Sequence, residues 1–136
     1  MNKLSCILLV DDDNITNFAN QMLIEDMEIT EQVLVAFNGL EAIELIKKQC
    51  EVDCCPELIL LDINMPVMNG FEFLETYKEL EFVHKQSVVI LMLTTSLNPK
   101  DVEQMKEEPI KGFLTKPLTE IMIRDLLRKH FNRDLS

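Results

Sequence analysis

Uninterrupted apolar runs restrict this chain more than any other feature. Cys6–Val10, Val33–Phe37, Leu58–Leu61 and Val88–Leu93 are continuous instead of alternating, which is what a strand requires when helices cover both its faces. Gly112–Thr115 is a fifth, weaker run. Segments with helical spacing lie between them. Ile15, Phe18, Ala19, Met22 and Leu23 form a stripe at offsets of three and four, expected to face a sheet. Leu40, Ile43 and Ile46 repeat the pattern, as do Phe71, Leu74 and Tyr77, and then Ile123, Leu126, Leu127 and Phe131. Strand and helix alternate about five times, which predicts an α/β fold: a parallel sheet with right-handed crossovers and helices on both faces.

A helix is also expected over Asn98–Glu108, with Asn98 as its cap, Pro99 in its first turn and Pro109 as its stop. Only Val102 and Met105 would anchor it, so it should be the least stable of the five. The 136 residues suit one domain, 1–136, with a core of about 4–132 and a short tail, Asn132–Ser136. Glu51–Pro56 and Glu79–Gln86 read as surface connections.

Thirteen Lys and Arg against 24 Asp and Glu give a net charge of −11, a field that repels nucleic acid backbones and argues against direct nucleic-acid binding. No apolar run approaches the roughly 20 residues of a membrane span, so a soluble, cytoplasmic chain is expected. Cys6, Cys50, Cys54 and Cys55 lie in or beside apolar segments without a paired C-x-x-C. They read as reduced thiols, neither disulfides nor a zinc site.

Open parallel sheets bind ligands beyond the carboxyl ends of their strands. Here those ends carry Asp11-Asp12-Asp13, Asp62, Thr94-Thr95-Ser96 and Lys116-Pro117. Carboxylates gathered there repel one another unless a cation joins them. Mg²⁺ fits best, since it accepts one or two carboxylates and completes its shell with water and phosphate oxygens. Lys116 would then neutralise a phosphate oxygen and Thr94 would donate a hydrogen bond to another.

The stretches Ile7–Asp13, Leu60–Gly70, Leu93–Ser96 and Phe113–Pro117 together resemble the marker segments of response-regulator receiver domains, in order and spacing across essentially the whole chain. The resemblance implies a flavodoxin-like doubly wound five-stranded sheet of order 2-1-3-4-5. Asp62 would be the phosphoacceptor, with catalytic support from Thr94 and Lys116. Mg²⁺ would be held by Asp12 and Asp62 through their side chains, by Asn64 through its carbonyl and by Asp11 mainly through water. Thr94 and Phe113 would be the switch pair, and the Lys116-Pro117 bond would be cis. The implied partners are a sensor histidine kinase or histidine phosphotransfer protein and a downstream protein target. Lys111-Gly112 stands where receivers that dimerise through their fifth strand often carry an acidic pair, so a monomer or weak dimer is expected. With a single helix after the Lys116 segment, the chain would act through a separate partner or relay phosphate onward.

Simpler readings exist for several residues. Asp13 should cap the first helix or lie exposed, Asn69-Gly70 reads as a plain turn, and Phe113 could be permanent core. Asn64 and Ser96 flank the path of an attacking water. A haloacid-dehalogenase-like phosphatase is the enzymatic alternative, but it needs a second Asp where this chain has Asn64. An unphosphorylated interaction module of the same fold is the other, while a flavodoxin-like flavin site would be repelled by three carboxylates.

Overall fold

The computed structural model describes residues 3–52, 54–81, 85–95 and 98–132. The expectations for Ser96, for the middle of the Glu79–Gln86 connection and for the end of the tail fall outside them. Five strands, β1 (Ile7–Val10), β2 (Val33–Ala36), β3 (Leu58–Asp62), β4 (Val89–Thr94) and β5 (Gly112–Thr115), alternate with five helices. These are α1 (Asn14–Asp26), α2 (Gly39–Glu51), α3 (Gly70–Lys78), α4 (Pro99–Met105) and α5 (Glu120–Phe131). The sheet is wholly parallel in the order β2-β1-β3-β4-β5. Every residue of β1, β3 and β4 is buried, as the continuous apolar runs require.

Successive strand residues feed two cores. Leu8, Val10, Ile59 and Leu61 face one with Ile46, Phe73 and Leu74 of α2 and α3. Ile7, Leu9, Leu58 and Leu60 face the other with Ile24 of α1 and Ile123 and Leu127 of α5. The stripes read on α3 and α5 are buried, save that Phe131 is only partly so, whereas Leu40 at the start of α2 is exposed.

Helix α1 departs from its sequence reading. Ile15, Phe18 and Met22 are 78%, 65% and 48% exposed, and Asn17, Asn20 and Ile24 are the buried residues. The reason is a hydrogen bond. Asn17 Nδ2 donates to the Asp11 carbonyl at 2.8 Å, so the helix turns its asparagine side inward with Ile24, and of the apolar stripe only Leu23 keeps contact with the core.

Helix α4 is shorter than expected, ending at Met105, and Met105 is its one buried residue. Asn98 caps it through the Lys100 N–H, and Pro99 lies in its first turn, as read.

The cysteines also correct the sequence reading. Cys50, in the last turn of α2, and Cys55, ahead of β3, form a disulfide because the short return brings their Cα atoms to 4.5 Å. Cys6 and Cys54 are free. Burial, reinforced by Cys54 and Glu57, pushes the Cys6 thiol up to about 12, so it stays protonated. Among the described residues, no helix is long and apolar enough to cross a membrane.

Candidate functional site

Parallel pairing brings the carboxyl ends of β1, β3, β4 and β5 to one edge of the sheet. Asp11 follows β1, Asp62 ends β3, Thr94 ends β4 and Lys116 follows β5. Asp11, Asp62 and Thr94 are buried, at 3%, 8% and 5% exposure, while Asp12 is exposed.

Asp11 is held on several sides. Its backbone N–H donates to the Ala36 carbonyl at 3.1 Å, its Oδ1 accepts from the Asp13 N–H at 3.0 Å, and its carbonyl takes the Asn17 amide already described. Asp62 Oδ1 accepts from the Ile63 N–H at 2.9 Å. The Lys116 ammonium bridges both acids, 2.6 Å from Asp11 Oδ2 and 3.4 Å from Asp62 Oδ1. Its own position is secured by a backbone bond from the Lys116 N–H to the Thr94 carbonyl at 2.8 Å, and the following peptide bond is cis, as expected.

Burial raises the Asp62 carboxyl first, and the Asp11 charge raises it further against the pull of Lys116. Burial alone would lower the Lys116 ammonium, but the hydrogen bond to Asp11 and the Asp62 charge outweigh it, and the net shift is upward. One carboxylate oxygen from each of Asp11, Asp12 and Asp62 lies within 4.8 Å of the others. A hard cation suits this all-oxygen set better than zinc, which prefers nitrogen and sulfur.

Asp13 does what the sequence assigned to it. It caps α1, accepting from the Ile15 N–H and the Thr16 hydroxyl at 3.0 and 2.9 Å, and the Thr16 bond, then the Ile15 bond, lower its carboxyl. Asn64 is exposed two residues beyond Asp62. Phe113 is 41% exposed on β5, so it is not permanent core.

The segment after Asp62 is more ordered than a plain turn. Val67 takes a positive φ of 66° while the Met68 N–H donates to the Pro66 carbonyl at 2.7 Å, a γ-turn rarely tolerated by a β-branched residue. The Met68 carbonyl accepts from Gly39 at the start of α2, and the Gly70 N–H returns to Ile63. Asn69 and Glu72 form a reciprocal capping box that starts α3. A Cβ on Gly70 would meet the Asp62 carbonyl oxygen at 2.5 Å, so a side chain there would displace the acidic strand end. Sequence reasoning missed the roles of Asn17 and Gly70. The Asn-x-x-Glu spacing from Asn69 to Glu72 signals where α3 starts, but nothing in the sequence signals the approach of Gly70 to the Asp62 carbonyl.

Residues 7–128 match the sequence profile of the family described as the response regulator receiver domain. The chain is 34% identical over 142 residues to hybrid signal transduction histidine kinase B of Dictyostelium discoideum, covering 96% of this chain but only 7% of that protein. It is 30% identical to the chemotaxis protein CheY of Halobacterium salinarum, covering 89% of this chain and 92% of the relative. A two component response regulator from Cytophaga hutchinsonii, solved by crystallography, superposes with a TM-score of 0.86 at 29% identity over 97% of this chain and 100% of that one.

Proposed function

This chain belongs to the response regulator receiver family, and from that premise we propose that it is a phospho-accepting switch of two-component signalling. A phosphohistidine donor would pass its phosphoryl group to Asp62. Receiver domains are regulatory and not enzymes in the ordinary sense. The observation that carries the reading is the convergence of Asp11, Asp12 and Asp62 on one cleft with Lys116 bridging two of them.

Asp62 Oδ1 is engaged by the Ile63 N–H and Lys116, which leaves Oδ2 as the attacking oxygen. The P–N bond of the donor breaks as the P–Oδ2 bond forms, and the departing imidazole keeps the electron pair and takes up a proton. Mg²⁺, held by Asp11, Asp12, Asp62 and the Asn64 carbonyl, would neutralise charge on the phosphoryl oxygens. Lys116 would exchange a carboxylate for a phosphoryl oxygen, and the Thr94 hydroxyl would donate to another. Phe113, on the strand beside Thr94, would turn inward as Thr94 moves. Positioning and charge neutralisation supply most of the catalysis.

The partner follows from the same surface. A sensor kinase or phosphotransfer protein must bring its histidine to Asp62, and the outward stripe of Ile15, Phe18 and Met22 begins two residues after the Asp13 cap. That apolar surface gives the donor protein a place to dock. On the output side, a groove of about 490 Å³ between β5 and α5 offers Phe113, Leu114, Met122 and Leu126 beside Lys111 and Lys129. A downstream protein would read it from the cytoplasm, with the receiver acting as a monomer or weak dimer.

The test is intact mass after incubation with Mg²⁺ and acetyl phosphate. One added phosphoryl group that is absent from Asp62→Asn and from EDTA-treated protein is expected. Equal labelling of Asp62→Asn would place the acceptor elsewhere.

A further inference from the structure

Asn17 grips the acidic triplet at both ends. Its backbone N–H donates to the Asp13 carbonyl at 3.1 Å, closing the first turn of α1, and its side-chain Nδ2 donates to the Asp11 carbonyl at 2.8 Å. Asp12 lies between these two anchors. Its carboxylate belongs to the oxygen cluster with Asp11 and Asp62, yet it makes no hydrogen bond with any described residue. Its aim is therefore set by its neighbours.

The Asp11 carbonyl and the Asp12 N–H share one rigid peptide plane. Fixing that carbonyl fixes the plane, and with it the direction in which the chain enters Asp12. Asp11 has supports of its own, since its N–H is paired with Ala36 and its carboxylate with Asp13 and Lys116. For Asp12 the tie from Asn17 takes their place.

Asn17 occupies this position at a cost to itself. The residue is 3% exposed, and its Oδ1 is buried without a hydrogen-bond partner among the described residues, a state that buried polar atoms seldom adopt. Ile24 fills the same buried side of α1 with no such penalty. What the amide supplies, and an apolar residue could not, is the bond to the Asp11 carbonyl.

On the reading of this cleft as a Mg²⁺ and phosphoryl site, we propose that Asn17 is a positioning residue for the cation: its hold on the Asp11 carbonyl aims the Asp12 carboxylate into the cluster before the ion arrives. Asn17 itself touches neither the ion nor the phosphoryl group and acts through Asp12. Removing a residue that orients a metal ligand commonly weakens the metal by about 10–100-fold. Asn20 provides a contrast within the same helix. It is buried on the same side, and among the described residues no hydrogen bond joins it to the triplet.

The experiment is a titration of the 136-residue chain with MgCl₂ alone, read from the amide shifts of Asp12, Asp13 and Ile63 in ¹H–¹⁵N spectra well below each variant's melting temperature. Asn17→Leu should raise the Kd for Mg²⁺ by about tenfold or more. Asn17→Ser, whose side chain is too short to reach the carbonyl, should do the same and serves where the leucine variant does not fold. Asn17→Gln, which retains an amide donor, should recover part of the loss, and Asn20→Leu should leave the Kd unchanged. Native affinity in either folded variant that lacks the tie overturns the proposal. So does an equal loss in Asn20→Leu, which would trace the effect to a loosened helix. Both of those outcomes leave the cation site standing, whereas a native chain that takes up no Mg²⁺ at millimolar concentration removes the site and the proposal together.

Discussion

Helices α1 and α3 follow the two strands that carry the acidic residues, yet α3 buries aromatic and apolar side chains whereas α1 buries two asparagines with one isoleucine. Helix α3 turns Phe71, Phe73, Leu74 and Tyr77 inward and is anchored as a hydrophobic element. Helix α1 turns Asn17 and Asn20 inward and leaves Ile15, Phe18 and Met22 in solvent. The difference shows what fixes each helix. Apolar burial orients α3, whereas in α1 a polar tie to the Asp11 carbonyl joins Ile24 in setting the orientation, and Ile15, Phe18 and Met22 stay outside. A helix kept in that orientation leaves three large apolar side chains exposed.

The comparison breaks most clearly at the phenylalanines. Phe73→Ala should cost about 3–5 kcal/mol in denaturant unfolding, since its ring is fully buried. Gly70→Ala should follow, at about 1–3 kcal/mol, because the added methyl strikes the Asp62 carbonyl. The same variant should also lose acetyl phosphate labelling, and full labelling would show that the strand end tolerates the shift. Asn17→Leu tests the polar tie. It should cost about 1–3 kcal/mol by leaving the Asp11 carbonyl unpaired, and a stabilised variant would show that burial alone orients α1.

Asp62→Asn should act in the opposite direction. Burial and Asp11 raise the Asp62 carboxyl, so the folded state holds that proton more tightly than the unfolded state does. The contribution to stability is therefore full at acid pH and is lost as pH rises through the folded titration. Removing the charge should raise Tm by roughly 2–5 °C at pH 7, with the gap closing in acid and narrowing with Mg²⁺. A gap that stays constant from pH 3 to pH 7 would contradict the assignment. Smallest of all, Phe18→Ser should change stability by less than about 0.5 kcal/mol. It should slow transfer from a phosphohistidine protein while leaving acetyl phosphate labelling unchanged.

The parallel sheet was legible because β1, β3 and β4 are buried on both faces and carry no polar residue before the Asp62 and Thr94 that end the last two. The site was legible for a related reason: parallel strands end at one edge, so residues at their carboxyl ends must meet. Orientation of α1 was not legible, because hydrophobic spacing marks a stripe without saying which way it points. The Asn17 bond that decides the matter runs to a backbone carbonyl, which any residue could have supplied. The Cys50–Cys55 bond was hidden for a different reason. It depends on how tightly the chain turns back after α2, and spacing alone does not report that.

The contact between Lys116 and Asp11 joins residues 105 positions apart. No fragment short of β5 can form it, so a chain still emerging from the ribosome has neither the bridging ammonium nor the charge balance it provides. The assembled charge cluster should therefore appear abruptly, once Lys116 behind the last strand is in place, and not in proportion to the length synthesised. Any lesion that loosens β5 would carry Lys116 away from Asp11 and remove that balance with it.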